Sequence, residues 1–136
     1  MIRFVVLVTV CFLLSACDNK VDDAIAQYAL GSSYDDGGIE NIDYGKAKYW
    51  YEKSSAQGNL NATRALGFMY EKGKGMKVNY ARAIELYTEA ANKGDYYSHI
   101  NLWWMYTEGV GVEKNSNIAT QWSQKAEKLE TLGKTE

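Results

Sequence analysis

The 136-residue sequence predicts an all-α fold, a solenoid of three helix–turn–helix repeats that follows an N-terminal signal peptide. Three observations predict it: matching residues recur every 36 positions, apolar residues follow helical spacing inside each period, and glycines separate the apolar stretches. Because 46% of the residues are hydrophobic and 13% are aromatic, the chain can bury enough surface to fold as one domain. The predicted organisation is a signal peptide at 1–16, a lipidated cysteine and short tether at 17–20, repeats at 21–58, 59–94 and 95–132, and a tail at 133–136.

The first element is the N-terminal segment, in which a positive charge at Arg3 precedes an apolar run over residues 4–14. This run matches the core of a signal peptide and is too short to cross a bilayer of about 30 Å. It ends in Leu-Ser-Ala-Cys at positions 14–17, which resembles the lipobox of bacterial lipoproteins. The resemblance implies cleavage before Cys17 and lipidation of that cysteine. The alternative is a buried helix in which Cys17 is an ordinary core residue.

Lipidation would place the mature protein at a bacterial membrane. Cys11 would leave with the signal peptide and Cys17 would carry lipid, so no thiol would remain for a disulfide, a metal or a nucleophile. Residues 18–20 span at most about 3.5 Å each, so the first repeat would lie within roughly 10 Å of the headgroups. Asp18 followed by Asn19 resembles the inner-membrane retention signal of enteric bacteria. We therefore expect a lipid-anchored, periplasm-facing envelope protein, with the inner membrane favoured.

The repeats are predicted by columns of matching residues that lie 36 positions apart without insertion or deletion. The columns are Leu30, Leu66 and Leu102; Tyr34, Tyr70 and Tyr106; Gly37, Gly73 and Gly109; Ala47, Ala83 and Ala119; and Trp50, Leu86 and Trp122. Chance composition does not produce such a set of columns, so the chain is built from three copies of one unit.

Each period divides into two amphipathic helices joined by a glycine turn. In the central period, apolar residues follow the spacing of one helix face over residues 62–70 and again over residues 83–90. Gly73 follows the first helix and Gly94 follows the second, where a left-handed residue can end a helix. Gly67 and other small residues let neighbouring helices approach closely, with tyrosine and tryptophan filling the space between them.

The central repeat resembles a known family. It shows Ala-x-x-x-Leu-Gly-x-x-Tyr-x-x-Gly-x-Gly over residues 62–75, which is similar to the Sel1-like repeat, a relative of the tetratricopeptide repeat. The resemblance covers about residues 21–129 and implies a right-handed superhelix whose concave face is usually a scaffold for protein contacts. Terminal repeats of such arrays are commonly atypical, because their outer sides face water. The departures here are Ile39 in place of the second turn glycine, Trp103 in place of Gly67, and Ser116 in place of Tyr80.

A protein partner is expected on the outward side of the first helix of each repeat, about half a turn from the core positions Leu66 and Tyr70. Exposed aromatic residues beside arginine are typical of binding hot spots. The outward positions are Ile25, Tyr28, Ser32 and Asp35; Asn61, Arg64, Phe68 and Glu71; and Tyr97, Ile100, Trp104 and Thr107. The candidate partner-binding residues are Tyr28, Arg64, Phe68, Tyr97, Ile100 and Trp104. The alternative is that Trp104 closes the core beneath a C-terminal segment that includes Leu129 and Leu132.

The remaining patterns predict no cofactor, no metal site, no nucleic-acid binding and no enzyme. The net charge is −2 and no basic stripe is present, which argues against nucleic acid. The glycine pair Gly73 and Gly75 lacks the lysine and hydroxyl of a phosphate loop. Residues 35–38 lack the further ligands of a calcium loop, so we predict a helix end and turn there. His99 has no nearby thiol or second histidine, so we predict a surface or packing role for it.

Two functions remain open at this point. The first is a membrane-anchored protein–protein interaction module of the bacterial envelope, whose partner is an envelope protein. The alternative is a periplasmic immunity protein that neutralises an antibacterial effector toxin, for example a phospholipase, because small lipoproteins with similar repeats occur in that role. A neighbouring toxin gene and a tight affinity would distinguish the second function from the first.

Overall fold

The computed structural model describes residues 23–38 and 41–133, and in this part of the chain six α-helices form and no strand does. Helix α1 covers residues 23–36. The other helices are α2 (Tyr44–Ala56), α3 (Leu60–Lys72), α4 (Tyr80–Asn92), α5 (Tyr96–Glu108) and α6 (Ser116–Gly133). The predicted all-α fold is therefore confirmed. The predicted signal peptide at 1–16, the predicted lipidation site Cys17 and its tether lie outside the described residues.

The helices alternate between two kinds, the A helices α1, α3 and α5 and the B helices α2, α4 and α6. Each helix from α2 onwards packs against the next one along the chain. A repeat is thus an antiparallel pair of an A helix and a B helix, and successive pairs stack side by side as predicted for a solenoid. None of the described helices is both long and apolar enough to cross a membrane.

Helix starts in the fold coincide with Asp or Asn residues. The side chain before each of α2 to α6 accepts a hydrogen bond from the backbone N–H three residues ahead, and such a cap contributes about 1 kcal/mol. The capping residues are Asp43, Asn59, Asn79, Asp95 and Asn115. Since Asp43, Asn79 and Asn115 are 36 positions apart, the cap is part of the repeating unit.

The ends of α3 and α5 are set by Gly73 and Gly109. Both residues adopt left-handed backbone angles, with φ of 67° and 74°, and their N–H groups donate to the carbonyls of Met69 and Met105. Residues with a Cβ atom rarely adopt these angles, so glycine ends each A helix at low cost. The predicted glycine turns are confirmed at these positions.

The core lies between the A and B helices in two clusters. Tyr70 packs against both clusters, so it joins the packing of the second repeat to that of the third. The first cluster contains Ala47, Tyr51, Ala62, Leu66, Met69 and Leu86. The second contains Ala83, Tyr87, Ala91, Leu102 and Met105. The predicted apolar columns at positions 66, 83, 86 and 102 are therefore core positions.

Inside each of the first two repeats, a tyrosine ring of the B helix packs directly against a glycine of the A helix. A Cβ atom at Gly31 would lie 2.5 Å from Tyr51 Cδ1, and one at Gly67 would lie 2.7 Å from Tyr87 Cε1. A larger residue at either glycine would therefore have to displace a buried ring. The close approach of helices predicted at Gly67 is confirmed, and Gly31 packs in the same way.

Successive repeats contact each other through the second turn glycine. A Cβ atom at Gly75 would lie 2.6 Å from Tyr44 Cβ, and one at Gly111 would overlap Tyr80 Cβ. Tyr44 and Tyr80 are the first residues of α2 and α4. The start of each of these B helices thus presses on the turn of the following repeat, which holds the repeats in register.

Candidate protein-binding surface on the A helices

The A helices bring the predicted partner-binding residues to neighbouring positions on one side of the stack. Phe68, Tyr97 and Trp104 expose 40%, 60% and 39% of their surface. Tyr28, Arg64 and Ile100 are half-buried. The aromatic residues of α3 and α5 are therefore the accessible part of the predicted set.

The most continuous feature on this side is an aromatic–lysine row, formed by Asp35, Lys74, Phe68, Lys72 and Trp104. The Lys72 ammonium lies 5.6 Å from the Phe68 ring centroid and 5.5 Å from that of Trp104, so one cation contacts rings of adjacent repeats. Lys74 Nζ lies 5.1 Å from the Phe68 centroid and 2.7 Å from Asp35 Oδ1. Each cation–π contact contributes about 0.5–1 kcal/mol at an exposed site. The row thus crosses all three A helices.

A second cluster lies near the starts of α3 and α5 and is centred on Arg64. Its Nε atom lies 3.1 Å from Asp95 Oδ2, and its guanidinium lies 5.0 Å from the centroid of the Tyr97 ring. The Nη2 group donates a 2.7 Å hydrogen bond to Asn61 Oδ1. Because Asp95 also caps α5, the Arg64 side chain is held between two repeats and is less available to a partner than predicted.

Glu71 is a correction to the predicted outward set. It is only 7% exposed, and its Oε2 atom accepts a 2.8 Å hydrogen bond from the buried Tyr87 hydroxyl. The physical reason is that α3 packs on α4 through a second stripe of side chains, in which Gly67 and Glu71 lie one turn apart on the same face. Its other oxygen pairs with Lys72, which connects this buried pair to the aromatic–lysine row.

Burial dominates the electrostatics of the two core tyrosines. Burial, followed by the nearby Glu71 carboxylate, raises the pKa of Tyr87 well above its ordinary value. Burial and the Asp35 carboxylate raise the pKa of Tyr51 in the same direction. Both hydroxyls therefore stay protonated throughout the physiological range, and that of Tyr87 donates its hydrogen bond to Glu71.

Two further residues of the predicted partner-binding set, Tyr28 and Trp104, lie in different environments. The Tyr28 ring centroid lies 5.7 Å from that of Tyr51, so Tyr28 packs against the core as well as facing outward. Trp104 contacts Lys72, whereas Leu129 and Leu132 lie beside Gly94 near the start of α5. The structure therefore favours the exposed interpretation of Trp104 over a closing role beneath the C-terminal segment.

Lys72 and Lys74 are site residues that the sequence interpretation missed. They follow the last outward position of α3, and a lysine there is normally expected in solvent. The available signal was the position of Lys72 one turn after Phe68, within reach of the next aromatic column; Lys74 lies in the turn beyond the helix end. Their role emerges only when adjacent A helices are placed side by side.

Among the described residues, no group of three histidine, cysteine, aspartate or glutamate side chains is arranged to hold a metal ion. His99 is 4% exposed, its ring lies edge-on to Trp122 with centroids 5.5 Å apart, and its Nδ1 atom lies 3.0 Å from the Asp95 carbonyl oxygen. Of the surface and packing roles predicted for His99, the structure shows the packing one.

Comparison with known families agrees with this geometry. The Sel1 repeat profile matches residues 24–59, 60–95 and 99–130, which together cover most of the chain. The chain belongs to the Sel1 repeat family. Sel1 repeat proteins generally mediate protein–protein interactions. A search of curated proteins returned no match.

Solved Sel1 repeat structures are similar to this chain. A protective antigen of uropathogenic Escherichia coli strains that displays an SLR fold has a TM-score of 0.72 and 33% identity, over 77% of this chain and 22% of that one. A Sel1 repeat protein from Oxalobacter formigenes has a TM-score of 0.72 and 30% identity, over 88% and 49%. Helicobacter pylori cysteine rich protein B shares the fold, with a TM-score of 0.64, 24% identity, and coverage of 86% and 87%. The chain thus spans less than half the length of the first two.

Proposed function

We propose that this Sel1 repeat protein is a membrane-anchored protein-interaction module of the bacterial envelope that binds its partner through the aromatic–lysine row. The observation that carries the proposal is the row itself, in which the exposed rings of Phe68 and Trp104 from adjacent repeats both contact Lys72. Aromatic residues are enriched among those that dominate binding energy. A binding role without catalysis is part of the same proposal.

The membrane anchor is supported by the lipobox-like sequence before Cys17, and an inner-membrane location by Asp18 and Asn19. The test is expression of the full chain beside a Cys17→Ser variant. We expect the unaltered chain to yield a membrane-bound product that carries lipid mass, and the variant to remain uncleaved and unlipidated. An unaltered chain that carries no lipid mass, or that keeps its first 16 residues as the variant does, would remove the anchor from the proposal.

The binding surface can be located with a photo-crosslinking amino acid placed at position 68 or 104 in the native host. Position 49 is the matched control, because Tyr49 is also an exposed aromatic residue, at 50%, but lies on the B helix α2. We expect positions 68 and 104 to give a crosslinked species of the same mass, and position 49 to give none. A partner captured only from position 49 would place the binding surface on the B helices.

Trp104→Ala is predicted to weaken binding of the crosslinked partner about 30-fold, equivalent to about 2 kcal/mol. The helical circular dichroism signal should be unchanged and the melting midpoint should fall by only a few degrees, because the ring is partly exposed. Tyr49→Ala serves as control and should leave affinity unchanged. A large loss of melting temperature with Trp104→Ala would instead identify Trp104 as a core residue.

The immunity function stays a prediction from the sequence. No contact among the described residues favours a toxin over another envelope protein, so the identity of the crosslinked partner decides between the two.

A further inference from the structure

The antiparallel helix pairs give the solenoid two edges. One edge, termed the anchor edge, contains the first turns of the A helices and the last turns of the B helices. Contacts across it are direct: Ser54 Oγ near the end of α2 donates to the Ala24 carbonyl in the first turn of α1, as does Asn59 Nδ2 at 3.3 Å. Tyr96 at the start of α5 and Leu129 near the end of α6 border one hollow of about 360 Å³.

The anchor edge presents the most exposed large hydrophobic side chains of the described residues. These are Tyr97, at 60%, with Ile25 and Leu132, each at 57%. Ile25 lies near the start of α1, Tyr97 near the start of α5, and Leu132 near the end of α6. Lys125 and Lys128 line a second hollow beside Leu132, so cations accompany the apolar groups. Tyrosine, apolar and lysine side chains together are typical of surfaces that enter a membrane interface.

Chain length brings the same edge close to the membrane. Only six residue steps separate Cys17 from residue 23, the first described residue of α1, and they span at most about 21 Å. A 13-residue helix such as α3 is about 20 Å long, so the opposite edge, with Ile42 and Val78, lies about 20 Å further from the tether. The tether therefore favours contact through the anchor edge.

We propose that the anchor edge rests on the bilayer that holds the lipid anchor, with Ile25 and Tyr97 at the level of the headgroups. The inference depends on the lipidation of Cys17 in the proposed function and adds an orientation to it. Phe68 and Trp104 lie eight residues beyond the first residues of their helices, about 12 Å along the axis. The aromatic–lysine row is therefore held clear of the membrane and open to a partner that approaches sideways.

The test measures the depth of single labels in the processed lipoprotein. The full chain is expressed with Tyr97→Cys or Ile25→Cys at the anchor edge, or with Val78→Cys or Ile42→Cys as matched controls at the opposite edge. Lipidation consumes the Cys17 thiol, so a fluorophore attaches only to the introduced cysteine. The proteins are reconstituted into phosphatidylethanolamine–phosphatidylglycerol vesicles that contain spin-labelled lipid.

We expect quenching at positions 25 and 97 to be at least twofold stronger than at positions 42 and 78. Equal quenching at all four positions, or stronger quenching at 42 and 78, would overturn the orientation and leave the lipid anchor and the partner surface standing. A product without lipid mass would overturn the anchor and the orientation together. Leu132→Glu supplies a second measurement, because a charge at the edge should reduce quenching at position 97 while the circular dichroism spectrum is retained.

Discussion

The central repeat and the third repeat pack their helix pairs with different side chains. In the central repeat, Gly67 leaves room for the Tyr87 ring, whose hydroxyl donates a 2.8 Å hydrogen bond to Glu71. In the third repeat the A-helix residue is a partly exposed tryptophan, and a threonine hydroxyl bonds to its own helix. The equivalent positions there are Trp103, Ser123 and Thr107.

The difference shows that these three positions form one packing unit. The first repeat has Gly31, Asp35 and Tyr51 at equivalent spacing and packs the tyrosine ring on the glycine in the same way, but there the carboxylate pairs with Lys74. A tryptophan can occupy the glycine position in the third repeat because no tyrosine ring lies opposite it. The departure of Trp103 from the family pattern is therefore accompanied by a serine, Ser123, where the other repeats have the opposing tyrosine.

The largest expected effect comes from forcing the third-repeat residue into the central repeat. Gly67→Trp places an indole where a Cβ atom alone would lie 2.7 Å from the Tyr87 ring, so we expect a loss of about 3 kcal/mol or more in unfolding free energy. Adding Tyr87→Ser should restore part of this loss. Urea titration of the two variants measures the effect, and a double variant no more stable than Gly67→Trp would show that the positions are not coupled.

A smaller effect is expected from removing only the polar part of the unit. Tyr87→Phe keeps the ring on Gly67 but removes the donor to Glu71, which should cost about 2 kcal/mol of unfolding free energy. Tyr49→Phe, at an exposed position, is the control and should cost almost nothing. Equal stability of Tyr87→Phe and the unaltered protein would mean that Lys72 alone satisfies the Glu71 carboxylate.

The same variant changes the response to alkaline pH. Burial raises the pKa of Tyr87 in the folded state above the value of about 10 for an unfolded tyrosine. The protonated Tyr87 hydroxyl therefore contributes fully to the free energy of unfolding below pH 10, and this contribution is lost as the pH rises further. Tyr87→Phe should therefore lose stability less steeply above pH 10 than the unaltered protein, with Tyr51 retaining part of the slope. Parallel curves of melting temperature against pH would contradict this assignment.

The smallest effects on unfolding free energy are expected at the helix caps, where the central and third repeats have the same residue. Asn79 and Asn115 cap α4 and α6 in the same way, so Asn79→Ala and Asn115→Ala should each cost about 1 kcal/mol. Asn79→Asp is the control that keeps the accepting oxygen. Urea midpoints that differ widely between the two alanine variants would show that the caps depend on their repeat.

The 36-residue period predicted most of the fold because each repeated residue has a structural role that depends on its neighbours in the chain. Gly73 and Gly109 occur where left-handed angles are required, and Asn79 and Asn115 occur where helices need an acceptor. These requirements depend only on the chain near each residue, so they are visible in the sequence. The apolar faces follow the same logic, since burial repeats with the turn of the helix.

The candidate site was predicted less completely because it depends on contacts between repeats. Phe68 and Trp104 were identified from their shared column, but Lys72 was not, because its contact with Trp104 requires the distance between adjacent A helices. The burial of Glu71 also depends on a partner, Tyr87, on another helix. The sequence prediction assigned one buried face to each A helix, whereas an A helix packs against several neighbours and buries more than one face.

The glycine contacts between repeats have a consequence for what can bind. Because the close contact of Gly111 with Tyr80 sets the interval between the second and third repeats, the interval between the rings of Phe68 and Trp104 is set as well. The Lys72 ammonium lies 5.6 Å from one centroid and 5.5 Å from the other, so the centroids are at most about 11 Å apart. A ligand that engages both rings must carry two apolar groups at that interval, up to about seven residues apart in a helix or three in an extended peptide. The separation of the two rings thus sets an upper limit on the spacing of the groups that engage both.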